Sequence, residues 1–551
     1  MIEVSDNVSP VDARTLRHVV LASSLGAMFE WYDFFLYASL AELIAKRFFS
    51  GLNDNTAIIL TLLAFAAGLI VRPFGALVFG RLGDSGGRKR TFLITLLVMG
   101  GSTFLVGCLP TFATVGVLAP IALVGLRMLQ GLALGGEYGG AATFVAEHVP
   151  SRRRGMATSW IQATGSYGLL LSLLVVLVCR RTIGDQFDAW GWRVPFLFSA
   201  VLLIVSIYIR LSLHESPVFL AMKRQGTVSR SPLREAFGEW RNVRVVLLAL
   251  FGVVIGQAMV TNTCDLYAMY FLTISLKIDA VTADSLLAIA LAIGTPFSLL
   301  AGWLSDRVGR KRVVLIGCLV SGLTFFPIFK ALTHFGNPAL EHAVQVAPVR
   351  LFADPSRCSL QFDPTGTKLF KTSCDVAKTL LAENGIPYEN VASAPGGIAV
   401  LDIGSATLPS FEGEALSATA FRTQRSALAQ ALTRLLESAG YRQHAEAAEV
   451  RRGPVLALLS LLLAYVSFVY GPLAAWLVEM FPARIRYSAI SLPYHIGFGW
   501  FGGLLPAISF AIVAATGNIY AGLWYPVVGT LVSVIIGGLW LRETLEAPRA
   551  E

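Results

Sequence analysis

The sequence predicts an all-α membrane protein of twelve transmembrane helices in two six-helix bundles, with a small α+β domain inserted between helices 9 and 10. Three observations carry this prediction. The 551 residues are 55% apolar and only 14% charged, with a mean hydropathy of +0.65, whereas soluble domains carry about a quarter charged residues. Apolar runs of about twenty residues, the length a helix needs to cross a hydrocarbon core of about 30 Å, recur between short basic or Gly/Pro-rich links. A motif of the first half returns in the second, and one long polar stretch interrupts that second half.

Taken in order, the spans begin near Val19, Ala57, Thr91, Val115, Ala157, Arg193, Val243, Asp284, Val313, Pro454, Tyr487 and Ile519. They divide the chain into a cytoplasmic tail (1–18), an N-terminal bundle (19–213), a central cytoplasmic loop (214–242), helices 7–9 (243–333), an extracytoplasmic insertion (334–452), helices 10–12 (453–541) and a second cytoplasmic tail (542–551). The N-terminus is polar and has no short apolar core leading to a small-residue cleavage site, so the first span is expected to be retained. The formal charge of +9 is concentrated in alternate loops, which argues for topology and against a nucleic-acid partner. Arg81, Arg88, Lys89 and Arg90 form one cluster, Arg152 to Arg154 the next, and the long middle stretch through Arg224 and Arg244 another. Arg307, Arg310, Lys311 and Arg312 follow, then Arg484 and Arg486. Under the positive-inside rule both termini are then cytoplasmic and the number of spans is even.

The repeat fixes the two halves. GRLGDSGGRKR, from Gly80, returns as GWLSDRVGRKR from Gly302, with Asp84/Asp306, Gly87/Gly309 and Arg88/Arg310 in register. Glu147, Pro150, Arg152 and Arg154 return as Glu479, Pro482, Arg484 and Arg486. The offset from Glu147 to Glu479 exceeds that from Gly80 to Gly302 by the length of a small domain. An insertion of that size therefore separates the two motifs in the second half. The stretch from about His334 to Arg452 is polar enough to be it.

The Gly-x-x-x-Asp-x-x-Gly-Arg-Lys-Arg turn in both halves is similar to the loop signature of the major facilitator superfamily. EWYDFFLYA, RMLQGLALGGEYGGAATFVAEHVPSRRRG and WGWRVPF resemble its metabolite:proton symporter branch. The resemblance implies two six-helix bundles about a central cavity, alternating access and proton coupling. The repeat points the same way, because two parallel six-span halves put a substrate site between them near the midplane.

Charged side chains inside the spans are the candidate site. Gly26, Glu30, Asp33 and Tyr37 lie on one stripe of the first helix. An intramembrane charge costs a few kcal/mol and so faces a cavity or a partner. Glu30 and Asp33 are therefore expected to carry protons, the alternative being a carboxylate locked by an arginine. On the fourth span Arg127, Gln130, Glu137 and Tyr138 share a broad face, with Glu137 a third proton-coupling candidate and a run of glycines allowing close helix approach. Arg127-x-x-Gln130-Gly131 is similar to a superfamily motif associated with proton coupling. Arg127 is expected to serve either as the counter-charge to a carboxylate or as the anchor of a substrate carboxylate. Arg72 is a lesser candidate, expected to snorkel toward the interface. Gln257 and Asp265 on span seven and Tyr494 on span eleven complete the set, and His495 is read as a packing residue.

In the basic turns, Asp84 and Asp306 are expected to bond helix N-termini and basic residues. Arg88 and Arg310 are expected to reach carboxylates or helix C-termini. With Gly80, Gly87 and Gly309 permitting tight turns and close approach, these residues form a predicted conformational latch.

The insertion alternates strand-like PVRLFA and GIAVLDI with helical DVAKTLLAENG and RSALAQALTRLLES. CDVAKTLLAENGIPYENV looks like the helix that follows the active site of glutaredoxin-like proteins, but Lys371 stands where a Cys-x-x-Cys pair would need its first cysteine. A two-cysteine redox mechanism is thus unsupported, and Cys358 and Cys374 are a candidate structural disulfide in an oxidising exterior. Metal-ligand spacing, phosphate-binding loops and nucleophile motifs are absent from the sequence, so neither an enzyme nor a cofactor is expected.

The expected protein is a monomeric, proton-coupled importer of a small polar metabolite, an organic acid or a zwitterion, in the bacterial cytoplasmic membrane. Its partners are the substrate, protons and the bilayer. Two alternatives stay open: efflux of organic compounds, and a membrane-anchored receptor or redox module acting through the insertion.

Overall fold

The computed structural model describes residues 13–49, 54–359, 370–446 and 448–545. Most of the two predicted tails, at 1–12 and 546–551, lies outside these residues.

The first half contains α1 (Ala13–Ser39), α2 (Asp54–Gly86), α3 (Arg88–Cys108), α4 (Leu118–His148), α5 (Arg154–Ile183) and α6 (Arg193–Leu211). The second half begins with α7 (Trp240–Ser275), α8 (Ala280–Val308) and α9 (Arg310–Gly336). Among the described residues eleven helical stretches are long and apolar enough to cross a bilayer, against the twelve predicted. The eleven do not include α2, a 33-residue helix whose side chains at 54–63 lie outside the described residues.

Glycines set the closest approach in the first half, between α2 and α4. A methyl added to Gly131 would lie 2.0 Å from the Gly68 carbonyl oxygen, and one on Gly135 would lie 2.1 Å from that of Arg72. Small residues let two backbones touch in this way without a side chain between them.

The polar stretch holds both strands and helices. Strand β1 (Val349–Ala353), helix α10 (Ser373–Glu383), strands β2 (Tyr388–Ala392), β3 (Val400–Ile403) and β4 (Ala406–Pro409) and helix α11 (Ala418–Ser438) follow in order. The sheet order is β2-β1-β3-β4, with β1 parallel to β2 and antiparallel to β3. Leu351 and Leu401, paired across β1 and β3, are fully buried under Leu380, Leu381 and Leu432 of the two helices. A disulfide joins Cys358 in the loop after β1 to Cys374 in the first turn of α10, with Cα atoms 5.3 Å apart.

The chain then returns through α12 (Arg452–Met480), α13 (Arg486–Thr516) and α14 (Ala521–Trp540). At the neck of the insertion the Arg451 amide donates to the Phe335 carbonyl at 2.9 Å. The two ends of the domain therefore meet, and α9 and α12 pack as neighbours as if nothing lay between them.

The domain is seated on the second half. The Tyr388 amide donates to Gly517 O at 2.9 Å, Asn390 to Thr516 O at 3.1 Å, Lys378 to Ala515 O at 3.2 Å, and the Tyr388 hydroxyl to Ala514 O. These carbonyls are the orphan acceptors at the C-terminus of α13, and an ammonium there is favoured by the helix dipole. Gly385 packs on Ile274 at the end of α7.

Two helices of the second half are irregular. Helix α7 widens into π turns at Leu250–Val254, Thr263–Tyr267 and Phe271–Ser275, and α13 does so at Ile496–Gly502, just after Pro493. Such turns concentrate at functional sites.

Candidate functional site

The inward stripe of α1 is buried: Glu30 is 2%, Asp33 5% and Tyr37 1% exposed. Glu30 is held by an arginine from α6. Its Oε1 lies 3.0 Å from Arg210 Nη2, while Arg210 Nη1 donates to Phe92 O at 3.1 Å and its guanidinium covers the Phe92 ring. Gly26 makes room for this, since a methyl there would fall 2.2 Å from Nη2.

Asp33, one turn further on, is differently placed. Among the described residues it makes no ion pair, and its Oδ1 has no hydrogen-bond partner. Its carboxylate lies beside the Thr103 hydroxyl. Thr103 Oγ1 accepts from Gln130 Nε2 at 2.8 Å, and Gln130 Oε1 accepts from Arg127 Nη1 at 2.7 Å. A chain of two neutral polar side chains thus links Asp33 on α1 to Arg127 on α4 through α3. Arg127 in turn lies 4.2 Å from the Tyr37 ring centroid.

Arg72 does not snorkel. It is 2% exposed, sits 4.6 Å from the centroid of Phe34, and its Nε and Nη2 are buried without hydrogen-bond partners. The expectation fails because the glycine contact of α2 with α4 carries its whole backbone segment into the bundle. Arg72 and Arg127 feel each other's charge, and Arg72 faces Tyr470 and Tyr494 from the second half. There the halves touch: the rings of Tyr138 and Tyr494 stack with centroids 3.6 Å apart, and the Tyr494 and Tyr470 hydroxyls are 2.6 Å apart. Asp265 lies within electrostatic reach of Tyr470. Gln257 bonds to Thr261 of its own helix at 3.0 Å. Glu137, 8% exposed, adjoins Tyr138 and makes no ion pair among the described residues.

The basic turns interlock the halves with a matching pattern. Asp84 accepts from the amides of Tyr487 (3.1 Å) and Ser488 (2.8 Å) at the start of α13. Asp306 accepts from those of Gly155 and Met156, both at 2.8 Å, at the start of α5. Each carboxylate thereby caps a helix of the opposite half, satisfying orphan amides at its positive end. Arg88 Nη2 donates to Ala483 O and Arg310 Nη2 to Ser151 O, both at 2.6 Å. Arg88 also approaches Glu147 (3.5 Å) and Arg310 approaches Glu479 (3.4 Å). Gly80 lies against Ser488 with no room for a methyl, and Gly87 and Gly309 hold φ of 110° and 108°, where a side chain would be strained.

A further pair completes each set. Glu215 accepts from the Arg88 amide at 3.1 Å and Glu543 from the Arg310 amide at 2.8 Å. The hydroxyls of the residues that follow, Ser216 and Thr544, donate to Glu147 and Glu479.

A model of the Major Facilitator Superfamily matches residues 23–338, more than half of the chain. The chain belongs to this superfamily. It is 37% identical to the shikimate transporter of Escherichia coli K12 over 57% of this chain and 72% of the relative. It is 35% identical to the proline/betaine transporter of Salmonella typhimurium over 59% and 66%, and to the inner membrane metabolite transport protein YhjE of E. coli K12 over 66% and 81%. Its fold matches that of the proton:xylose symporter XylE with a TM-score of 0.60 at 17% identity, over 97% of both chains. The protein is a multi-pass membrane transporter.

For this facilitator, then, the predicted residues fall into three groups. Glu30 is paired off with Arg210; Asp33, Gln130 and Arg127 are linked through Thr103, with Tyr37 on Arg127, and reach the contact between the halves through Arg72, which faces Tyr494 stacked on Tyr138; Gln257 bonds within its own helix. Arg210, Thr103, Tyr470, Glu215 and Glu543 escaped the sequence reading. Arg210 carries a signal in hindsight, an arginine inside the apolar run IVSIYIRLSL. Glu215-Ser216 and Glu543-Thr544 are a third repeat, too short to register until the contacts pair them.

Proposed function

We propose that this transporter is a proton-coupled symporter that imports a small polar metabolite bearing a carboxylate, an organic acid or a zwitterion, across the bacterial cytoplasmic membrane by alternating access. It does so as a monomer with twelve spans and both termini in the cytoplasm, α2 being the span beyond the eleven. The observation that carries the reading is the polar chain Asp33–Thr103–Gln130–Arg127 ending beside Arg72 at the contact between the halves. Arg72 offers buried, unused N–H groups, and a planar fork suits a carboxylate. Asp33 is a buried carboxyl with no fixed counter-charge, the kind of group whose proton affinity follows its solvation and the charges around it. A substrate anion arriving at the two guanidiniums removes positive charge from the neighbourhood of Asp33 and favours its protonation, so that binding of one promotes binding of the other. Neutralised together, the two reduce the cost of rocking the site through a closed centre.

The interlocked basic turns support a state closed on the cytoplasmic side, with Asp84, Arg88, Asp306 and Arg310 as the latch that opening to that side must break. The relatives named as transporters of shikimate and of proline/betaine are consistent with a carboxylate-bearing solute.

The test is uptake in proteoliposomes under an imposed pH gradient, run against shikimate, proline, glycine betaine and dicarboxylates. Accumulation of one carboxylate-bearing solute that collapses with a protonophore is expected. Accumulation of an uncharged sugar alone, or uptake indifferent to the gradient, would overturn the reading.

A further inference from the structure

The start of α7, with Trp240 and Arg244, and the end of α14, with Trp540, lie at the end of the molecule that carries the basic turns. The two helices cross in contact at Gly252 and Gly537, where a methyl on Gly537 would lie 2.4 Å from the Gly252 carbonyl oxygen. Toward that end they line a shallow, open groove of about 310 Å³ with Leu247, Leu248, Phe251 and Ile536, beside Trp240, Trp540 and Arg244; Leu247 and Phe251 are themselves exposed. Trp240 is 72% and Trp540 53% exposed, so both indoles stand free on the outer surface of the bundle.

We propose that this groove is a binding site for one anionic phospholipid, its phosphate on Arg244 and part of an acyl chain along Leu247, Phe251 and Ile536. The proposal needs the membrane setting of the fold and is independent of what the protein transports. Three features favour an amphiphile. Arg244 shares one stripe of α7 with the apolar residues Leu247, Leu248 and Phe251, which follow it into the apolar run. Tryptophans mark the headgroup level of a membrane, where an indole is wet at one end and apolar at the other. Basic pockets between transmembrane helices hold lipid headgroups, and arginine meets a phosphate with two parallel N–H donors.

Charge argues for an anionic lipid over a zwitterionic one. Among the described residues Arg244 makes no ion pair. The nearest carboxylates in sequence are engaged: Glu239 accepts from Asn242 Nδ2 at 3.3 Å, and Glu235 accepts from Ser229 Oγ and pairs with Arg484 at 3.2 Å. Arg241, next to Trp240, and Arg542, two residues after Trp540, add positive potential at the same end.

Native mass spectrometry of the purified full-length protein, incubated with equimolar phosphatidylglycerol and phosphatidylethanolamine, tests this. Wild type is expected to retain one phosphatidylglycerol in preference. Arg244→Ala should lower that retention about tenfold, Arg244→Lys by much less, and Leu248→Trp, which fills the groove, should lower retention of both lipids. Unaltered melting temperatures in detergent would establish that the variants are folded. Should a variant fail to fold, displacement of the lipid from wild type by excess phosphatidylglycerol but not by millimolar inorganic phosphate gives the same answer. Equal retention by wild type and Arg244→Ala, displacement by inorganic phosphate, or a wild-type dimer that Leu248→Trp dissolves would each overturn the proposal.

Discussion

Arg210 Nη2 lies 3.0 Å from Glu30 Oε1, and this one contact gives two carboxylates of the same helix different surroundings. Glu30 has a permanent counter-charge one helix away; Asp33, three residues on, has the Thr103 hydroxyl beside it instead. Removing one member of a buried pair strands the other and costs about 3–5 kcal/mol, whereas replacing both by apolar groups is often neutral. Arg210→Ala is therefore expected to lower the melting temperature sharply, and Glu30→Gln combined with Arg210→Met to recover most of the loss. The double variant should still accumulate substrate with the pH gradient. Loss of gradient-driven uptake in a well-folded double variant would return Glu30 to the proton path.

Asp33→Asn should abolish accumulation driven by a pH gradient while sparing exchange of labelled for unlabelled substrate, because the neutral amide resembles a permanently protonated site. Thr103→Val removes the hydroxyl beside Asp33 and the acceptor of Gln130, leaving a buried N–H unpaired at a cost of about 1–3 kcal/mol. A rate loss of about tenfold is expected, with Asp33→Asn and Thr103→Val not additive. Additive effects in the double variant would disconnect the two residues.

The latch predicts a symmetric effect. Asp84→Asn and Asp306→Asn each weaken charge-assisted capping of a helix in the opposite half. A loss of about 1.4 kcal/mol in the closed state is a tenfold shift in population. Spin labels on the basic turns of the two halves should report a growing long-distance population in either single variant and more in the double. Distances unchanged by both substitutions would remove the carboxylates from the gate.

Asp354, in the inserted domain, gives a pH signature. Its carboxylate accepts from the Gly396 and Ser356 amides, both at 2.9 Å, and from Ser356 Oγ at 2.7 Å. The Gly396 amide first, then Ser356, hold its proton affinity below the ordinary aspartate value. A depressed folded-state value means that the contribution to stability is present above the unfolded value of about 3.9 and is lost as pH falls through the folded one. Amide protection at Ser356, Arg357 and Gly396, corrected for intrinsic exchange, should thus decline below about pH 4 in wild type. In Asp354→Asn it should be lower and flat with pH. A pH-dependent profile in that variant would assign the effect to another group.

Much of the architecture was legible because the bilayer leaves few options. A helix must satisfy its own backbone in hydrocarbon, so apolar length alone located α3 to α9 and α12 to α14, and the doubled Gly80/Gly302 motif paired the halves. The longer offset of the Glu147/Glu479 repeat located a domain whose ends meet at Phe335 and Arg451. The site was legible only as a list of charges. Period and burial put Asp33, Arg127 and Gln130 inside, but nothing in the spacing foretold that Thr103 would bridge them or that Arg210 would take Glu30. Arg72 was misjudged for a related reason: whether an arginine near a helix end reaches water depends on how closely the neighbouring helix lies, and here glycines on α4 draw α2 in.

By itself, then, the sequence determined the number and order of halves, the insertion between the ninth and tenth predicted spans, the basic turns and the residues that could bear charge within the bilayer. These follow from local quantities: length, hydropathy, spacing and sign of charge. Partner choice among the buried charges was decided by tertiary structure alone, because it depends on which helix faces lie within about 3 Å of one another. That is set by packing across residues as distant in sequence as Glu30 and Arg210, or Asp84 and Ser488.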